Sequence, residues 1–157
     1  MALDQRFQDK NYILSCGWGK ILHHLRKQFD LWATERLANK GYKEFKMTYM
    51  PVIMNIDLTG TSNNDLALRA KVTKQAMSKV IKELQKSGYI SSKTDPHDKR
   101  STIFKLTPRG EGLIQCAKES VSELMDEYRK LIGKKNYDGL LMQLVNIIEH
   151  MDKKIND

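Results

Sequence analysis

Ten lysines and arginines stand between Arg69 and Lys105 against three acids, a local net charge of +7 in a chain whose formal total is +8. Charge concentrated in one segment marks a surface that binds polyanions. Inside it, the turn DPHDKR places Asp95, Pro96, His97, Asp98, Lys99 and Arg100 between two β-leaning runs. Such a turn is either a solvated hairpin tip or a finger reaching something negatively charged. Just upstream, the run after Thr73 leaves Lys74, Gln75, Ser78, Lys79 and Lys82 on the polar side of an amphipathic pattern. Glutamine can make paired hydrogen bonds to adenine, serine is permissive, and lysine reaches guanine edges or phosphates.

Other chemistries have fewer residues to work with. Cys16 and Cys116 lie about a hundred residues apart, with neither CxxC nor Cys/His zinc spacing, and read as reduced, structural thiols. His23 and His24 are adjacent, so on a helix they diverge by ~100° and do not readily chelate one ion together. His97 and His150 are distant in sequence, and neither a metal nor a cofactor is expected. The chain has no Gly-rich phosphate loop, no HExxH and no G-x-S-x-G, so an enzyme is not expected either. The basic segment also has almost none of the aromatics that stack on RNA bases.

These residues need a scaffold. With 157 residues, 40% of them hydrophobic and 29% charged, the chain is long enough for one domain with a real core. No apolar run approaches the ~18 residues of a membrane span, and the first residues lack a signal-peptide pattern, so a cytoplasmic protein is expected. Leu14, Trp18, Ile21, Leu22, Leu25, Phe29 and Trp32 recur at three- and four-residue spacing, which predicts one long helix over 12–38, closed by Gly41. Thr48 is expected to cap a short helix that carries Pro51 in its first turn and buries Val52, Ile53 and Ile56. After the breaker DLTGT, Ser62 or Asn63 caps a short helix through Leu66 and Ala67. A tight turn over 69–72 then leads to Thr73.

From Thr73, a helix with Ala76, Met77, Val80, Ile81 and Leu84 facing inward runs to Ser87-Gly88. Ala67 and Ala76 are small enough for two helices to approach closely. YISSKT (89–94) and STIFKL (101–106) predict a hairpin. Thr107-Pro108 starts a second long helix, Gly133 interrupts it near 132, and a last helix carries Tyr137, Leu140, Leu141, Leu144, Ile147, Ile148 and Met151.

Short helix, tight turn, helix and hairpin make a helix-turn-helix with a wing, in which the second helix fits the major groove of DNA. The stretch from Ser62 to Ile114, with its wing DPHDKRS, the L-T-x-x-G of Leu106, Thr107 and Gly110, and the helix TKQAMSKVIKEL, resembles the MarR (multiple antibiotic resistance regulator) family of bacterial transcription factors. The resemblance covers nearly the whole chain. One departure is Lys71, where many relatives have glycine. The expected fold is mainly α with a small β-hairpin wing (α+β), a winged helix-turn-helix with flanking helical dimerisation elements. It would form a single domain over 1–157, with a DNA-binding lobe at 44–107 and a dimerisation region at 8–40 and 108–157.

The resemblance implies a homodimeric repressor that binds an inverted repeat in double-stranded DNA and is released by a small aromatic or anionic effector. The first helix and the last two carry more apolar stripe than a lone monomer of this size easily covers, which independently favours a dimer. The expected DNA-binding set is Ser62, Asn63, Thr73, Lys74, Gln75, Ser78, Lys79, Lys82, His97, Asp98, Lys99 and Arg100. In the family the wing reaches the minor groove, a role that passes to Arg100. Asp98 can orient its guanidinium, and Asp95 with Pro96 is turn chemistry. Trp18, His24, Trp32 and Met54 are the candidate effector contacts. Peroxide-sensing relatives keep a thiol near Cys16, which makes redox sensing an alternative, but the tyrosine expected a turn later is Lys20 here. A winged helix used only for protein docking is the remaining alternative.

Overall fold

The computed structural model describes residues 10–15, 17–95 and 101–156. The chain divides into two compact units, Met1–Ala117 and Lys118–Asp157. In order, the elements are α1 (Lys10–Ser15), α2 (Gly17–Asn39), a 3-10 turn (Met47–Tyr49), α3 (Met50–Ile53), β1 (Thr61–Ser62), α4 (Asn63–Arg69), α5 (Lys74–Lys86), β2 (Ile90–Thr94), β3 (Thr102–Leu106), α6 (Pro108–Ile132) and α7 (Lys134–Asn156). The described residues of the helix expected over 12–38 are all helical, in α1 and α2, with residue 16 between them outside the described residues. Gly41, with φ +97°, ends it as the sequence implies.

The first unit is built around a core that includes Phe45, Ile53, Leu66, Met77, Leu84, Tyr89, Phe104 and Leu113. Met77, Ile81 and Leu84 are the buried seam of α5, and Leu66 and Ala67 are their counterparts on α4. Burying each of the larger ones contributes about 1.5–3 kcal/mol, which is what holds two short helices at a fixed angle. Ala76 corrects the sequence expectation. It lies ~100° round the helix from Met77 and is exposed, so of the two alanines only Ala67 is buried.

Caps set the helix boundaries. Ser62 and Thr73 have extended backbones, and their hydroxyls accept the Asp65 and Ala76 amides at 3.1 Å each. Thr48 does not cap α3. It sits within the 3-10 turn, which runs directly into α3, and the cap position falls to Tyr49, whose αR backbone carries no side-chain cap. Pro51 occupies the first turn as expected.

The sheet has one strand more than the sequence implied. β3 lies between β1 and β2, both antiparallel to it, with Ile90 opposite Leu106, Ser92 opposite Phe104 and Thr61 opposite Phe104. Paired residues share a face, so Ile90, Ser92, Phe104 and Leu106 line one side of the hairpin. A two-residue strand after Gly60 is too short to leave an alternating pattern in the sequence.

The turn between α4 and α5 holds Lys71 at φ 52°. A side chain there costs roughly 1 kcal/mol that glycine avoids. Lys71→Gly should therefore raise stability by about 1 kcal/mol and the melting temperature by about 3 °C. Urea denaturation checks this, and an unchanged midpoint would mean that the turn is relaxed in solution.

Candidate nucleic-acid interface

The Thr73 cap fixes where α5 begins, and its buried seam fixes which side faces outward. Thr73, Lys74, Gln75, Lys79 and Lys82 are exposed, so the expected polar face is open to a partner. Ser78 differs, being half-buried at the edge of that face. It accepts a hydrogen bond from Asn63 Nδ2 at 3.1 Å and donates to the Lys74 carbonyl at 2.8 Å. Two turns further along the same side of α5, Gln85 Nε2 donates to Ser92 Oγ at 3.1 Å and ties α5 to β2. Between α4, α5 and β3 lies an open cavity of about 380 Å³ lined by Ser62, Asn63, Ser78, Lys82, Gln85 and Phe104. The structure therefore brings Ser62, Asn63, Ser78 and Lys82 to one place.

Ion pairs anchor the surroundings. Arg69 donates to Asp57 Oδ2 at 2.7 Å and to the Asn55 carbonyl at 2.8 Å, which clamps the end of α4 to the loop before β1. The Arg69 hydrogen bond holds the Asp57 carboxyl below its ordinary value. Arg109 pairs with Glu44 and stacks over the Tyr89 ring, its guanidinium carbon 5.0 Å from the centroid. Burial pushes the Tyr89 hydroxyl up.

At the base of the hairpin the L-T-x-x-G motif has a visible physical reason. Thr107 Oγ1 donates to the Gly88 and Tyr89 carbonyls at 2.6 and 3.1 Å and accepts the Gly110 amide at 3.1 Å. Gly110 packs so closely that an added Cβ would lie 2.2 Å from the Tyr89 carbonyl oxygen.

Residues 45–101, which hold this helix-turn-helix and its first wing strand, match the sequence model of the MarR family. The chain has a winged helix-turn-helix fold similar to that of MarR-family regulators. The similarity extends beyond the matched segment. The HTH-type transcriptional regulator BilQ of Clostridioides difficile is 27% identical over 124 residues, covering 79% of this chain and 82% of the relative. Two solved structures share the fold. Streptococcus pneumoniae FabT in complex with DNA aligns with a TM-score of 0.68 at 15% identity, over 87% of this chain and 98% of that one. A mutant MarR from E. coli complexed with operator DNA aligns at 0.65 and 20%, over 83% and 92%.

His97, Asp98, Lys99 and Arg100 of the wing, and Cys16, lie outside the described residues. Trp18 and Met54 are about half exposed, and His24 and Trp32 are half-buried. His24 Nε2 lies 3.5 Å from Gln28 Nε2, while Trp32 packs on Phe29 and lines a shallow cavity with Glu35, Arg36 and Asn39. No group of three or more His, Cys, Asp or Glu among the described residues could hold a metal ion, and none of their helices is long and apolar enough to cross a membrane. The Asn63–Ser78 and Gln85–Ser92 hydrogen bonds escaped sequence reasoning. The first spans fifteen positions, the second links a helix to a strand, and neither leaves a periodic signal.

Proposed function

We propose that this chain is a sequence-specific double-stranded DNA-binding transcriptional regulator. It works in the bacterial cytoplasm as a homodimeric repressor on an inverted repeat and is released by a small aromatic or anionic effector. The observation that carries the reading is α5 itself. It is a capped helix braced at Ser78 and Gln85, presenting Lys74, Gln75, Lys79 and Lys82 outward from a segment of net charge +7. Such a helix fits a major groove, with its N-terminal residues at base edges. Structural relatives solved in complex with DNA support a DNA partner. Residues 44–107 would be the DNA-binding lobe, and 8–40 with 108–157 the dimerisation region. The exposed Trp18, Ile21, Leu22 and Leu25 of α2 and the apolar stripe of α7 favour a partner copy. A two-fold dimer reads half-sites about one helical turn, roughly 10 bp, apart.

Selection of bound sequences from a random DNA pool, repeated with candidate aromatic and anionic effectors, tests this reading. An enriched inverted repeat is expected, and a pool that stays random would overturn it. Gln75→Ala should change the preferred base at one position in each half-site. Lys82→Ala should weaken binding to every sequence and reduce the log–log salt slope by about 1. Salt-independent binding would instead favour a protein-docking module.

A further inference from the structure

We propose that Asn63 is a positioning residue for base recognition. It holds the Ser78 hydroxyl so that α5 offers a hydrogen-bond acceptor, and no donor, at that point of the DNA-facing surface. The inference rests on the DNA-reading function proposed above and specifies which base chemistry that function selects.

A serine hydroxyl has one proton and two lone pairs. The Ser78 proton goes to the Lys74 carbonyl at 2.8 Å, the i−4 bond that serine often makes within a helix. One lone pair receives the Asn63 Nδ2 proton at 3.1 Å. A single lone pair remains for anything outside the protein.

The orientation of the Asn63 amide does not free the Ser78 proton. As oriented, its Oδ1 is buried and has no partner among the described residues. With the amide turned round, Oδ1 would take the Ser78 proton in place of the Lys74 carbonyl, and the two Nδ2 protons would be left at that buried site. Buried N–H groups are orphaned less often than carbonyl oxygens, which favours the orientation observed. In both orientations the Ser78 proton stays inside the protein.

The position of this hydroxyl matters. Ser78 lies one turn from Lys74 and from Lys82, at the edge of the exposed face, on the cavity between α4, α5 and β3. In the major groove, adenine N6 and cytosine N4 are amines, whereas guanine O6 and thymine O4 are acceptors. A hydroxyl that can only accept selects adenine or cytosine over guanine or thymine on the strand it faces. Loss of Asn63 leaves only the i−4 bond to the Lys74 carbonyl to hold the hydroxyl, which can then rotate toward a base and donate, and the distinction fades.

Random-pool selection with the full-length wild type, Ser78→Ala, Ser78→Thr and Asn63→Ala at two salt concentrations tests this. The position flattened by Ser78→Ala should, in the wild type, prefer A or C over G or T by about five- to tenfold, the scale of one net hydrogen bond to a base edge. Ser78→Thr keeps the hydroxyl and should keep the preference. Asn63→Ala should weaken the same position several-fold with an unchanged salt slope, whereas a purely structural role would lower affinity for all sequences alike. A wild-type preference for G or T there, or an Asn63→Ala profile identical to the wild type, overturns the proposal. If Asn63→Ala fails to fold, the two Ser78 variants decide alone. If the wild type enriches no motif at all, the DNA-reading function falls, and this inference with it.

Discussion

Gly110→Ala should cost the folded protein about 2 kcal/mol, although alanine is the better helix former. In an ordinary helix interior the change would gain about 1 kcal/mol. Here the new Cβ would lie 2.2 Å from the Tyr89 carbonyl oxygen and 3.2 Å from Leu106 Cδ2. Forcing such overlap typically costs 1–3 kcal/mol, occasionally more. The Tyr89 carbonyl cannot swing aside cheaply, because it accepts the Thr107 amide at 3.0 Å and the Thr107 hydroxyl at 3.1 Å. Relief would have to come from lifting the first turn of α6 off the hairpin base. The measurement is the urea midpoint at constant m-value. A variant as stable as the wild type would show that this contact is looser in solution.

The second large effect concerns assembly. Leu141→Glu combined with Ile148→Glu should turn the proposed dimer into a monomer and lower operator affinity at least a hundredfold. Leu140, Leu141, Val145, Ile147, Ile148, Met151 and Ile155 recur at helical spacing along α7, and all are at least a third exposed. A helix with that much bare apolar surface is unusual in a soluble monomer. The two substituted side chains are 38% and 58% exposed, so glutamates there should leave the monomer fold intact while placing unpaired charges in a dimer interface. A monomer reaches only one half-site and loses the high effective concentration of the second. Light scattering after size exclusion gives the mass directly. A double variant of wild-type mass and affinity would remove α7 from the interface.

Much of this architecture was readable from the sequence because it depends on local rules. Thr73, Thr107 and Ser62 could be recognised as caps from a hydroxyl followed by an amphipathic run, and each accepts the expected amide. The outward face of α5 followed from periodicity, and Lys74, Gln75, Lys79 and Lys82 are exposed there. Local rules failed where a distant segment intervenes. Ser78 has the period of the outer face, but Asn63 draws its hydroxyl toward α4. Thr61–Ser62 pairs with β3 some forty residues on, too briefly to mark the sequence. Ala76 fell on the wrong side because an alanine at the edge of a stripe carries little directional signal. Thr48 failed as a cap because the preceding turn continues without the extended residue that a cap requires.

Lys71 also bears on how the chain reaches its fold. α4, the turn and α5 lie within a few dozen residues, and local contacts of this kind form early. The left-handed residue at their junction then has to be reached before the packing of Leu66 and Ala67 on Met77 compensates for it. Relief of that strain by Lys71→Gly should appear chiefly as faster folding with little change in unfolding, the signature of a turn already formed in the transition state. In this protein, the turn that aims α5 would then also set the pace at which that helix comes into being.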